Sequence, residues 1–390
     1  MDFKKPHKDF PLTVRADGRW CKRIGGVLHY FGQIREDPLG QVAMEKLQRE
    51  WPSLAKGEPT PALPAPACTV SNCCDAFLTD KMVKVRNKEL THRTLADYCR
   101  MVDKLISFFG GRRKVAELTP EDFASFREHL ANNLRPISLK KAVGLIRSVF
   151  RYASDNRLIQ QPVMFGSSFN PPSPSVIRRD RHRHGPKLFT AKETRLIIKN
   201  LKTDPQMRAM VLLGLNCAFG NTDCANLTRQ ALDLVNGWVT FPRPKTGVQR
   251  RIPLWEETIT AIRAAVECRP KPANPEDKEL IFLTPNGLKW VRDNTVTEGD
   301  TTRVVAINAV SDKFRKLLKK LHLNDEGNGK GFYTLRHIFE TIGGEAIDQV
   351  AVNAIMGHVD GSMAGHYRER ISDARLREIT DHVLVWIHTE

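Results

Sequence analysis

The chain is 390 residues long, enough for two or three domains with cores of their own. Hydrophobic residues make up 41% and no apolar run reaches membrane-spanning length, which excludes a disordered polyelectrolyte and argues against a membrane-spanning protein. A formal net charge of +17 points instead to a polyanionic partner, with nucleic acid ahead of an anionic membrane surface because no basic amphipathic anchor is evident.

The opening Met-Asp-Phe-Lys-Lys-Pro lacks a signal-peptide core, so the expected location is cytoplasmic, associated with the nucleoid if DNA is the partner. Eight cysteines fit that compartment as reduced thiols. Cys99 and Cys217 lie in apolar patterns, and Cys68, Cys73 and Cys74 cluster without a Cys-x-x-Cys pair, so no metal site is expected.

Residues 1–57 read as a small β-rich module. Phe10-Leu12-Val14, Arg19 to Ile24 and Val27 to Phe31 are strand-like, with turns at Asp17-Gly18 and Gly25-Gly26. A helix follows, with Val42, Leu47 and Trp51 expected on one side. Arg15, Arg19, Lys22, Arg23 and His29 give the sheet a basic face that could lie in a DNA groove, or simply be solvated. A Pro- and Ala-rich linker occupies 58–67.

Residues 68–165 read as an all-helical domain. Leu95, Tyr98, Val102, Leu105 and Phe109 mark one amphipathic helix. Thr119-Pro120 starts another, and Ser138 starts a third. The third turns Ala142, Ile146 and Val149 inward and leaves Lys140, Lys141, Arg147 and Arg151 available for phosphates. A second linker, 166–187, contains Asn170-Pro-Pro-Ser-Pro, which cannot be helical. Arg178, Arg179, Arg181 and Arg183 follow, facing only Asp180, and suit a basic strap or a solubilising linker.

The last domain, 188–390, opens with a capping box at Thr190-Ala-Lys-Glu193. After an apolar helix from Met207 to Leu215, Asn236-Gly237 signals a hairpin between Leu232-Leu234 and Trp238-Phe241. A turn at Lys245-Thr246-Gly247 leads into Arg250-Arg251-Ile-Pro, giving three antiparallel strands with Lys245 at the tip. Pro285 to Thr302 is polar and loop-like.

The chemistry concentrates between Tyr333 and Tyr367. Leu335, Ile338, Phe339 and Ile342 recur at helical spacing, with Tyr333, Arg336, His337 and Glu340 on the opposite stripe. A second helix from Val350 to Met356 is capped by Asp348 and stopped by Gly357, and His358 and Tyr367 come after the stop. A guanidinium that forks onto two phosphate oxygens, imidazoles and a nucleophilic phenol together suit phosphoryl transfer. A last helix from Ser372 carries Leu376, Ile379, Val383 and Trp386, a stripe that either folds back on its own domain or docks into a neighbouring protomer.

This box resembles that of the tyrosine recombinases, the phage integrase family: a histidine-x-x-Arg336-His337 pattern, then Gly357-His358, then Tyr367, with Tyr333 where most members have histidine. Lys245-Thr-Gly before Ile-Pro-Leu resembles the hairpin that presents the family's catalytic lysine. The resemblance implies a mainly α, multidomain fold with small antiparallel β-sheets: a helical core-binding domain and a mixed α/β catalytic domain. It implies attack by Tyr367 to leave a 3′-phosphotyrosyl link, with Lys245 as general acid and Arg336 and His358 on the non-bridging oxygens. His337 and Tyr333 complete the expected site, and no cofactor or metal is required. The implied partners are double-stranded DNA and further copies of the chain, a dimer on one site and a tetramer in synapsis.

One expected residue is absent. Aligning Asp223 and Leu227 with the family's glutamate and leucine puts Gly220 where the first catalytic arginine belongs; Arg208 or Arg229 could swing in. The expected function is therefore site-specific strand transfer, with a non-cleaving DNA-binding accessory or regulator on the same fold as the alternative.

Overall fold

The computed structural model describes residues 5–15, 17–58, 68–298, 301–324 and 329–389, with 295–298 and 301–304 described by backbone only. The proline-rich linker expected at 58–67 therefore lies, from 59 onward, outside the described residues. The chain divides into two compact units, Met1–Cys68 and Thr69–Glu390.

In the first unit β1 (Thr13–Val14), β2 (Arg19–Ile24) and β3 (Val27–Gln33) form an antiparallel sheet in that order. The two-residue turn between β2 and β3 uses Gly25 and Gly26, both at positive φ (56° and 83°), as a tight primed turn demands. Helix α1 (Gln41–Lys56) covers one face of the sheet, and Leu12, Trp20, Phe31, Ala43 and Leu47 form the core. Helical phase selects Ala43 and Leu47; Val42 and Trp51, expected on one side with Leu47, are exposed. Trp51 instead receives the Lys22 ammonium 5.1 Å from its ring centroid.

The second unit begins with four helices, α2 (Val70–Arg86), α3 (His92–Phe109), α4 (Pro120–Asn133) and α5 (Pro136–Asp155). Thr69, Thr91 and Thr119 cap the first three. Helix α5 starts at Pro136 rather than at Ser138, because proline at the first helical position needs no donor. Phe109, Phe123, Phe126, Phe150 and Phe169 interlock edge-on and stacked between the helices. The basic strap is not extended throughout: Ser173 caps helix α6 (Pro174–Arg183). The run is non-helical only up to Ser173, and its last proline becomes the first helical residue.

Thr190 and Glu193 form the expected capping box of α7 (Ala191–Lys199). Helix α8 (Pro205–Asn216) is buried on all sides, and α9 (Asn221–Asn226) follows it. Strands β4 (Leu232–Asp233), β5 (Trp238–Thr240) and β6 (Arg251–Pro253) make the expected antiparallel sheet, with α10 (Glu256–Glu267) next in the chain and packed against α8. The segment from Pro285 to Thr302 is not a loop. Its larger part enters a hairpin of β7 (Val291–Glu298) and β8 (Thr301–Asn308), which packs against α3 of the helical region. Helix α11 (Ala309–Lys320) returns the chain to the core.

Helices α12 (Thr334–Gly344), α13 (Gln349–Met356) and α14 (Met363–Tyr367) carry the chemistry-bearing stretch. Helix α15 (Asp373–His388) buries Leu376, Ile379, Val383 and Ile387 against α12, α13, α7 and β6. Trp255 donates its indole N–H to the Thr380 carbonyl at 3.0 Å, and Arg195 donates to the Ile387 carbonyl at 2.8 Å. The apolar stripe is thus closed within its own domain, and a neighbouring protomer is not needed to cover it.

Candidate active site

Arg336 does not share the exposed stripe of Tyr333 and His337. It points inward from α12 and is 2% exposed. Its guanidinium donates to the Ala218 carbonyl at 2.6 Å and to the Met356 carbonyl, and Nη2 lies 3.4 Å from His358 Nε2. A guanidinium has no acceptor, so His358 accepts at Nε2 and its Nδ1–H donates to Asn353 Oδ1 at 3.2 Å. Burial, reinforced by the neighbouring Arg336, holds the His358 imidazole below its ordinary pKa and therefore neutral. Burial, then the nearby Arg243, pushes Arg336 down to about 10, still fully charged at neutral pH.

His358 is presented by the stop at the end of α13. Gly357 has φ 63°, and its N–H closes the helix onto the Ala354 and Asn353 carbonyls. A Cβ there would sit 2.9 Å from Arg250 Cδ and 3.0 Å from Arg243 Cβ, so space and conformation both require glycine. The loop between β5 and β6 docks on the same turn. Arg243 Nη1 and Thr246 Oγ1 both donate to the Gly357 carbonyl, at 3.2 and 3.1 Å. Lys245 lies between these two anchors and is exposed.

Around Gly220 the charge is arranged differently from the expectation. Asp223 accepts the Gly220 N–H at 2.8 Å through one oxygen and Arg250 Nη2 at 2.6 Å through the other. Arg250 is 1% exposed, donates to the Phe241 carbonyl, and lies over the Phe219 ring. A Cβ on Gly220 would come within 3.2 Å of Asp223 Oδ2 and 3.4 Å of Tyr333 Cε2. Arg208 donates to the Ile198 carbonyl between α7 and α8, and the Arg229 backbone is tied to Glu279. Neither approaches this site. Arg243 and Arg250, which sequence spacing did not single out, do.

Tyr333 is about half exposed and meets the His337 ring edge-on at 5.5 Å. His337 lines a cleft of about 850 Å³ together with Arg135, Asp180, Arg181, Lys187 and Thr341. Burial first, then Arg181 and Lys187, depress the His337 pKa. Tyr367 closes α14 and is 78% exposed. The loop before it is wound around Asp360, which accepts from Ser362 and pairs with Arg368 at 2.8 Å; the serine bonds, then Arg368, hold its carboxyl down at about 2. A smaller cavity of about 470 Å³ separates this segment from Arg250, Arg251 and His358.

Of the basic residues expected to meet phosphate, Lys140, Arg178, Arg179, Arg181 and Arg183 are exposed. Lys141 pairs with Asp97, and Arg151 lies 3.6 Å from Asp155 while remaining 83% exposed. Arg147 is turned inward, donating to the Phe169 carbonyl at 2.6 Å and to Asn170 Oδ1 at 2.9 Å. It holds the loop after α5 and is not on the outward face.

A buried guanidinium, an imidazole, a turn-borne lysine and an exposed phenol thus lie on neighbouring segments of a mainly helical fold. The Phage integrase family matches residues 187–372, and its N-terminal SAM-like domain matches residues 77–160. The chain belongs to the phage integrase family of tyrosine recombinases. Among solved structures it is similar to a lambda integrase dimer bound to a COC′ core site, with 17% identity over 94% of this chain and 98% of that one and a TM-score of 0.54. A lambda integrase tetramer bound to a Holliday junction matches at 16% identity over the same shares, also with a TM-score of 0.54. The Tn1549 transposon integrase in complex with circular intermediate DNA matches at 17% over 80% of this chain and 98% of that one, TM-score 0.54. At these identities the likeness is one of fold. No curated protein matches the chain.

Proposed function

We propose that the protein is a site-specific DNA recombinase that cuts and rejoins strands through a 3′-phosphotyrosyl intermediate. The observation that carries this reading is the convergence of Arg336, His358 and the Lys245 loop on one turn, with Tyr367 on the next helix. The Tyr367 oxygen bonds to the scissile phosphorus as the bond to the 5′ oxygen breaks. The phenolic proton leaves to solvent, and Lys245 protonates the departing oxygen, so neither strand end is lost as a high-energy alkoxide. Arg336 meets the non-bridging oxygens, and His358 joins it by taking up a proton at Nε2, which the entering phosphate's negative charge favours, while Tyr333 and His337 line the approach. Rejoining is the same displacement run with an incoming 5′-hydroxyl.

Double-stranded DNA is the partner, in keeping with the +17 charge and with the DNA-bound lambda and Tn1549 integrases that share the fold. The exposed arginines of α6, with Lys140, Lys141 and Arg151, would meet backbone phosphates, and the basic strands of the first unit would add a second contact. A homo-oligomer on DNA is expected, as lambda integrase is described as a dimer and a tetramer.

Gly220 in the place of an arginine favours a second reading, a DNA-binding accessory on the same fold that does not cleave. A nicked suicide duplex separates the two. The recombinase reading predicts a denaturation-resistant protein–DNA adduct that Tyr367→Phe abolishes while duplex affinity stays within about threefold. No adduct from the wild-type chain on its own site would leave the accessory reading standing.

A further inference from the structure

Taking the proposed strand-transfer reaction as its basis, we propose that Arg243 supplies the second phosphate-holding guanidinium that Gly220 cannot. Arg336 donates to the carbonyl of Met356 and Arg243 to the carbonyl of Gly357. Two guanidiniums, carried by elements 93 residues apart in sequence (336 − 243), therefore grip successive peptide groups of one turn. The residue that follows these two peptides is His358, whose Nε2 faces Arg336. Any phosphate reached by His358 is flanked by both cations.

The charge balance supports the same assignment. Asp223 is the nearby acid, and it is already committed to Arg250 at 2.6 Å in a pair with 0% and 10% side-chain exposure. That pair is closed to solvent and cannot meet a substrate. Among the described residues Arg336 and Arg243 have no carboxylate partner of their own. Arg336 spends donors on the Ala218 and Met356 carbonyls and Arg243 one on the Gly357 carbonyl, and of the five N–H groups of each guanidinium others are left over. Their mutual repulsion contributes to the lowered Arg336 pKa. Such a pair is costly in the free protein and is relieved by an anion. A phosphodiester carries one negative charge and the five-coordinate transition state two, so one guanidinium neutralises the ground state and two are matched to the transition state. A side chain at Gly220 would press on Asp223 Oδ2 at 3.2 Å, the carboxylate that holds Arg250, and touch the Tyr333 ring.

The test uses the full chain on the suicide duplex. If the wild type gives no Tyr367-dependent adduct, the strand-transfer reading fails and this inference with it. Given an adduct, Arg243→Ala should slow its formation by about 100-fold or more with duplex affinity nearly unchanged. Arg243→Lys, which keeps the fold and one charge, should fall between the two. Thr246→Ala removes the other bond to the Gly357 carbonyl without changing charge and should cost less than about tenfold. Replacing the scissile phosphate by a methylphosphonate removes one negative charge and should bring Arg243→Ala back to within about tenfold of wild type on that substrate. The inference is overturned if Arg243→Ala and Arg243→Lys both cleave within about threefold of wild type. It is equally overturned if Thr246→Ala is as slow as Arg243→Ala, or if the Arg243→Ala deficit is the same on both substrates, since each of these outcomes makes Arg243 a mere anchor for the loop.

Discussion

At the scale of single residues, Gly357 is where backbone conformation and chemistry meet. Its positive φ ends α13 and leaves a carbonyl that holds Arg243 and Thr246, while its missing side chain makes room for Arg250. Gly357→Ala is therefore expected to cost about 1–3 kcal/mol in unfolding free energy, and more activity than stability. Urea unfolding alongside adduct formation checks this; equal stability would mean that the two arginines part without cost. Lys245→Ala should slow cleavage, and a substrate with sulfur in the 5′-bridging position should restore it, because a thiolate leaves without protonation. Failure of the sulfur substrate to rescue would remove Lys245 from the general-acid role.

The histidines give a pH dependence with a definite sign. His337 and His358 both have pKa values below 6.5 in the folded chain. Below pH 6.5 the unfolded chain binds protons that the folded one refuses, so stability is complete above that pH and falls as pH drops toward 5.5. Denaturant midpoints at pH 7.5 and 5.5 should differ, and the difference should shrink in a His337→Asn, His358→Asn double variant. The carboxylates held low, such as Asp348 and Asp122, act in the same direction only below about pH 4 and leave this window clear. The spacing of Arg336, His337, His358 and Tyr367 was legible because each sits at a helix period or a helix stop. Arg243 and Arg250 were not, because what makes them part of the site is contact with a turn more than a hundred residues further along the chain.

At the scale of elements, local signals located most helices and both short hairpins of Asn-Gly and Gly-Gly type. Helices α2, α9, α10, α11 and α14 had no reading of their own, and α6, β7 and β8 lie where linker or loop was expected. Helix α6 hides behind a proline run, and its start became visible only once Ser173 was seen to cap it. Strands β7 and β8 lack alternating apolar residues, so the pairing of Val291 with Asn308 through Glu298 with Thr301 had no periodic trace. Helix α15 was read correctly as amphipathic, but sequence could not say which surface it covers. Its four buried aliphatic residues are each worth about 1.5–3 kcal/mol, a sum comparable to the whole stability of a domain. Deleting residues 375–390 should therefore unfold the catalytic part rather than leave a folded, unpaired protomer. Circular dichroism and thermal melting check this; a cooperative melt in the truncated chain would mean that α15 is an appendage.

At the scale of the whole molecule, the excess of cations is the property that the fold has to place. Helix α6 carries Arg178, Arg179, Arg181 and Arg183 with no buried residue of its own, and is pinned at one point by Arg135 to Asp180 at 2.9 Å. Arg181 and Lys187 also border the cleft that His337 faces, so the helix lies beside the candidate site. If DNA enters this cleft, these four arginines release counterions in proportion to the phosphates they meet. The logarithm of the binding constant should fall linearly with the logarithm of salt concentration, with each lost phosphate contact reducing the slope by about 0.9. Changing all four arginines to alanine in the full chain should leave the fold intact, since none packs in a core, and should lower the slope by roughly 2–4. Nitrocellulose or fluorescence titrations between low and physiological salt measure it. The salt slope of the fourfold variant distinguishes the possibilities: a clear reduction puts α6 against the duplex, whereas an unchanged slope leaves it a solvated connector and moves the phosphate contacts to α5 and the first unit.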